Sequence, residues 1–159
     1  MSPEAGSDLQ LEIGHVLFMD MVGYSKLLVD QQHEFQRALT EIVQSTEQVC
    51  VEEAAGKLIR IPAADGMALV FFNSPEAPVR CALEISKKLK AYPQLQLRIG
   101  IHSGPVNEVR DVNDRTNVAG AGINIAQRVM DCGDAGHILL FQRIAEDLKH
   151  YRQWPATAA

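Results

Sequence analysis

The chain has 159 residues, 47% hydrophobic and 22% charged, with a formal net charge of -5. That is the size of one compact domain with a sizeable core, and so modest an acidity gives nucleic acid or an anionic membrane no general attraction. No apolar run approaches the ~20 residues that span a bilayer, and "MSPEAGSDLQ" lacks the basic start and apolar middle of a signal peptide, so a cytoplasmic protein without a membrane segment is expected. Cys50, Cys81 and Cys132 are odd in number, far apart and without CxxC spacing, which suggests reduced thiols rather than a disulfide frame or a zinc site.

Residues 1–11 are small and polar and read as a flexible arm; residues 12–159 read as a single domain. "HVLFMDMVGYS" begins as an apolar strand and stops at Gly23. From Lys26 to about Cys50, apolar residues recur every three or four positions, which predicts one long amphipathic helix. "KLIRI" and "MALVFF" predict two strands with "PAADG" turning the chain between them. Ser74-Pro75-Glu76 opens a second helix running to about Ala91.

"QLQLRIGIHSG" alternates at period two and predicts a half-packed strand ending at Gly104-Pro105. After the polar segment "NEVRDVNDRTN", the glycines of "VAGAGINIAQRVMDCGDAG" open and close a short helix, "HILL" is a last strand and "QRIAEDLKHY" a last helix. This order of elements predicts an α+β fold, an antiparallel sheet covered by helices.

Two acids stand at strand ends. Asp20 follows "VLFM", and Asp65 lies in the turn between two other strands. Either alone reads as a turn-capping residue. Together they have the chemistry to hold hard divalent cations, since Mg²⁺ takes oxygen ligands from one or two carboxylates plus substrate phosphates. Gly23, Tyr24 and Ser25 follow Asp20 as a small loop entering a helix, where unpaired amides favour phosphate. Asn124 and Arg128 are spaced to share a helix face, an amide and a guanidinium able to fix a hydroxyl and a phosphate. "GAG" followed by Ala126 imitates a dinucleotide-binding glycine pattern but lacks the apolar strand before it and the acid after it. His102 alternates with Ile99 and Ile101 and reads as a structural histidine under a helix, without a catalytic role.

In order, "LFMDMVGYSKL", "ADGMALVFF", "LRIGIHSGPV", "GAGINIAQRV" and "GDAGHILL" resemble the catalytic domain of class III nucleotidyl cyclases, the adenylate and guanylate cyclases. The resemblance covers most of residues 16–140. It implies a ferredoxin-like core and a homodimer with active sites at the interface. It also implies two Mg²⁺ or Mn²⁺ ions held by Asp20, Asp65 and the backbone carbonyl of Met21. Gly23, Tyr24 and Ser25 would bind the triphosphate of ATP or GTP, and Asn124 and Arg128 would come from the partner chain as catalytic residues. The implied product is a 3′,5′-cyclic nucleotide for intracellular signalling.

Three features depart from the family pattern. Ala64 precedes Asp65 where the family carries glycine. "IRIPAAD" is one residue longer than usual, so the first purine-binding position falls on Ile61 or Arg60; the second falls on Asn117, whose amide both donates and accepts and does not choose a base. ATP is taken ahead of GTP. The sequence ends at "RQWPATAA", short of the family's last hairpin and its phosphate-binding lysine, so low activity is expected. A cyclase-like domain that binds nucleotide or a partner protein without chemistry is the alternative. A ferredoxin-like RNA binder is disfavoured by the acidic balance and the lack of aromatic residues interleaved with basic ones.

Overall fold

The apolar run around "VLFM" becomes the centre of the sheet. In the computed structural model, which describes residues 10–63, 65–110, 116–119, 121–132 and 138–140, β1 (Gln10–Met21) pairs antiparallel with β3 (Gly66–Phe71) on one side and β4 (Leu97–Arg110) on the other. A strand in this position is covered on both faces, so its apolar residues need not alternate with polar ones. Leu17 and Met19 enter one buried cluster, Val16 and Phe18 the other. With β2 (Leu58–Ala63) beside β3, the order β2-β3-β1-β4 is that of a ferredoxin-like core.

The outer edge of β4 is shared. β5 (Thr116–Ala119) pairs antiparallel with residues 107–110, and β6 (Ile138–Leu140) pairs parallel with residues 99–101. Among the described residues neither ladder reaches residues 102–106, the stretch that holds Pro105, which has no N–H to donate.

One face of the sheet is closed by α1 (Val29–Gln44), α2 (Glu47–Ala54) and α3 (Glu76–Lys88). Leu39, Ile42, Val43, Val49 and Ile85 of these helices pack with Leu17, Leu69, Phe71 and Ile101 of the sheet. The other face is crossed by α4 (Ala121–Asp131), which packs on β1 and β4. Gly100 permits this approach, because a β-carbon there would lie 2.2 Å from the Met130 amide nitrogen and 2.6 Å from the Ala126 carbonyl oxygen.

Several expected boundaries change. The long helix is two, broken at Ser45-Thr46. Ser45 Oγ donates to the Ile42 carbonyl at 2.7 Å and Thr46 Oγ1 to the Val43 carbonyl at 2.9 Å, while the Thr46 side chain also caps α2 by accepting from the Val49 amide. Lys26 and Leu28 precede α1, and Leu28 is exposed. β4 does not end at Gly104-Pro105, because β1 continues to pair with it as far as Glu108 and β5 then extends the ladder to Arg110. "NEVRDVNDRTN" therefore supplies parts of two strands rather than a plain connection. Gln10 and Leu11 belong to β1 and not to the arm. The rest of the arm and the expected last helix lie outside the described residues. Among the described residues, no helix is long and apolar enough to cross a membrane.

Candidate active site

Strand register decides what surrounds Asp20. Gly66 is its partner on β3 and Arg98 its partner on β4. Gly66 has to be glycine, because a β-carbon there would lie 2.0 Å from the Met19 carbonyl oxygen and 2.7 Å from the Asp20 α-carbon. Asp65, half-buried, precedes Gly66 in the turn, and its carbonyl accepts from the Met21 amide at 2.7 Å. One backbone hydrogen bond thus ties the turn carrying Asp65 to the strand end carrying Asp20 and Met21. The β2–β3 ladder is unbroken from Leu58↔Phe71 to Ala63↔Gly66, so the longer "IRIPAAD" makes no bulge in it and only Ala64 and Asp65 connect the strands. Ala64 itself lies outside the described residues.

Asp20 is only 7% exposed and is held by a cation. Arg98 Nε donates to Oδ1 at 3.0 Å and Nη2 to Oδ2 at 2.5 Å, the two-point contact that suits a guanidinium to a carboxylate. That hydrogen bonding raises the pKa of Arg98 further, against a smaller opposing effect of burial, and the charges of Asp20, Asp131 and Asp65 act in the same upward direction. Sequence reading missed Arg98 and Asp131. Arg98 was visible as the charged residue alternating with Leu97 and Ile99, but only the register puts it opposite Asp20.

Beyond Met21, Gly23 takes a left-handed backbone (φ 74°) that favours glycine, and a single 3-10 turn, Tyr24–Lys26, follows. The Lys26 and Leu27 amides close this turn on the carbonyls of Gly23 and Tyr24, so the amides of Tyr24 and Ser25 stand at its head.

Of the expected purine-binding residues, Arg60 and Ile61 take opposite faces of β2. Arg60 points into the helical layer, where Nε and Nη2 donate to the Glu53 carboxylate at 2.9 Å and Nη2 also donates to Gln44 Oε1 at 2.8 Å. Its neighbour Ile61 packs on the opposite, α4-covered face. Asn117 lies on β5 opposite Val109, and β5 comes back into contact with β2, which carries Ile61. The sequence spacing did not reveal this ion pair, which occupies the Arg60 guanidinium.

Asn124 and Arg128 are one turn apart on α4, whose buried side is marked by Ala126 and Met130. Arg128 is exposed, and no hydrogen bond or ion pair ties it down among the described residues. His102 is buried on the face of β4 that also carries Gly100, under α4, as its alternation predicts.

Asp20, Asp65 and the Met21 carbonyl offer only oxygen donors, the type that could hold a hard divalent cation, and the guanidinium resting on Asp20 shows that this carboxylate already draws positive charge. Among the described residues, no three His, Cys, Asp or Glu side chains form a complete cage.

Comparison with known proteins decides the family. The model of the adenylate and guanylate cyclase catalytic domain matches residues 10–157. The chain belongs to this family. It is a nucleotidyl cyclase catalytic domain, and its fold is that of solved cyclase domains. A guanylate cyclase domain from Catenaria anguillulae, solved with GTP, is 21% identical over 88% of this chain and 84% of its own, with a TM-score of 0.69. An adenylyl cyclase from P. aeruginosa is 18% identical over 90% and 83%, with a TM-score of 0.72. The guanylyl cyclase domain of a fusion protein from the fungus Blastocladiella emersonii, solved as a monomer and as a dimer, is 20% identical in both forms. These cover 90% of this chain and 89% and 87% of theirs, with TM-scores of 0.70 and 0.71. No protein of curated function matches the sequence.

Proposed function

We propose that this cyclase domain works as a homodimer that converts ATP, with GTP as the second choice, to the 3′,5′-cyclic nucleotide and pyrophosphate, as a step in intracellular signalling. The supporting observation is the convergence of two strand ends: Asp20 lies beside Gly66 in the sheet, and the Met21 amide is bonded to the Asp65 carbonyl.

In this reading Asp20, Asp65 and the Met21 carbonyl hold two divalent cations, Mg²⁺ or Mn²⁺. Such ions, when bound, lower the pKa of a coordinated hydroxyl and neutralise phosphate charge. The amides of Gly23, Tyr24 and Ser25 receive the polyphosphate. Asn124 and Arg128 of the partner subunit orient the ribose and stabilise charge on the transferring phosphate, which fits the solvent-facing Arg128. The O3′–Pα bond forms as the bond from Pα to the bridging oxygen breaks, pyrophosphate leaves and the hydroxyl proton passes to water. Ile61 and Asn117 border the base, whereas Arg60 is committed to Glu53 and Gln44.

The hold of Arg98 on Asp20 favours one second reading, a domain that binds nucleotide without turning it over. Purified protein assayed with Mn²⁺ and each nucleotide, beside Asp20→Ala and Arg128→Ala, separates the two. Cyclic product that disappears in both variants is expected. An intact dimer that nucleotide stabilises against heat but that makes no product supports the second reading.

A further inference from the structure

Arg98 has no part in the reaction outlined above, yet it lies among three carboxylates. Its Nε and Nη2 occupy one oxygen each of Asp20. Nη2 also lies 3.6 Å from Oδ1 of Asp131, whose side chain is 52% exposed. Asp131 is the last residue of α4, where the helix dipole disfavours an acid, so a nearby cation relieves it. Asp65 is close enough for its charge to act on Arg98 as well.

A divalent cation on Asp20 would meet the guanidinium as a like charge at short range, in a place that salt screens poorly. Both cannot hold the same two oxygens in the same way. We propose that Arg98 is an internal counter-ion that competes with the divalent cation for Asp20 and moves to Asp131 when the cation binds. Without metal, Arg98 keeps the buried carboxylate neutralised. Asp131 then gives the displaced guanidinium a second partner, so release leaves no charge buried alone. The exchange swaps ionic partners and breaks no covalent bond. It rests on the reading of Asp20 as a metal ligand.

The test is Mn²⁺ binding to the full chain without nucleotide, with free Mn²⁺ read by electron paramagnetic resonance. Arg98→Gln should bind Mn²⁺ about tenfold more tightly than the unaltered protein. Asp131→Asn should bind it more weakly, but should have no further effect in the Arg98→Gln background, because Asp131 acts through Arg98. A folded Arg98→Gln protein with unchanged or weaker affinity overturns the inference. So does an Asp131→Asn loss of equal size in both backgrounds, which would mean a direct pull on the ion. If Arg98→Gln does not fold, Arg98→Lys keeps the charge without the two-point contact and should still bind more tightly; equality with the unaltered protein overturns the inference. Asp20→Asn separates the two levels of the reading. If it binds Mn²⁺ like the unaltered protein, the metal-ligand reading fails and this inference with it. If it loses binding while Arg98→Gln changes nothing, the counter-ion role alone fails.

Discussion

The sheet face under α1, α2 and α3 and the face under α4 bury different chemistry. The first is closed by Leu17, Met19, Leu69, Phe71, Leu97, Ile99 and Ile101 against leucine, isoleucine and valine from the helices. The second has a small apolar cluster of Val16, Ala68, Val70, Val106 and Ala126, and beside it Asp20, Arg98 and His102. Each large apolar side chain buried on the first face contributes about 1.5–3 kcal/mol, so that face supplies most of the stability. The second is thereby free to keep charged groups that would be a net cost in a core. The apolar core and the charged groups are separated by the thickness of one sheet, and the period-two alternation of β1 and β4 makes the separation.

Substitutions can break this contrast. Phe71→Ala, fully buried on the first face, should cost about 3–5 kcal/mol in urea unfolding, a large share of a domain's whole stability. Arg128→Ala should instead leave unfolding within about 0.5 kcal/mol of the unaltered protein while lowering turnover about a hundredfold or more. If Arg128→Ala unfolded the protein as readily as Phe71→Ala, the separation would be wrong. Mixing Arg128→Ala chains with Asp65→Asn chains sharpens the point. Half of a random mixture is heterodimer with one intact site, so activity should return to about a quarter of the unaltered level. No recovery from a mixture shown to contain heterodimer would place the whole site within one chain.

Gly100→Ala tests the spacing of the second face. With backbone atoms of α4 so close, the added methyl should cost about 1–3 kcal/mol and shift α4, lowering turnover as well. Cys81 tests the sealing of the first. Burial, its largest influence, pushes this thiol up from 9.0 to about 12. The unfolded thiol ionises first as pH rises, so its contribution is complete below pH 9 and is lost between about pH 9 and 12. Cys81→Ala should flatten the alkaline part of the stability curve. Native protein should lose only Cys50 and Cys132, both exposed, to a thiol reagent at pH 8. The smallest effect is expected of Arg60→Ala, which removes a half-exposed ion pair. A loss of at most about 1 kcal/mol with nucleotide preference unchanged is predicted; a changed preference would return Arg60 to the base.

Most of the fold was legible because burial leaves a period in the sequence. The central strand, the hairpin around Asp65, α3 and α4 were all visible as apolar repeats or runs punctuated by Gly, Pro and Ser. The break at Ser45-Thr46 was hidden because the apolar repeat passes through it, while two hydroxyls bonding back to carbonyls end the helix. The end of β4 was misread because proline usually stops a strand. Here Pro105 stands where, among the described residues, neither β5 nor β6 pairs with β4, so its missing N–H breaks no ladder bond there.

For the candidate site, the sequence by itself determined which residue types were present and in what order: two acids at strand ends, a small glycine loop, and an amide and a guanidinium one helical turn apart. Such facts are local, since backbone geometry places near neighbours without help from the rest of the chain. Only the tertiary structure decided that Asp20 has Gly66 on one side and Arg98 on the other, that Arg60 turns to Glu53, and that α4 ends beside Arg98 at Asp131. Strand register and helix docking join residues far apart in the chain, and a one-residue slip would send every side chain to the opposite face. No local pattern carries that information; the packing of both faces at once selects it.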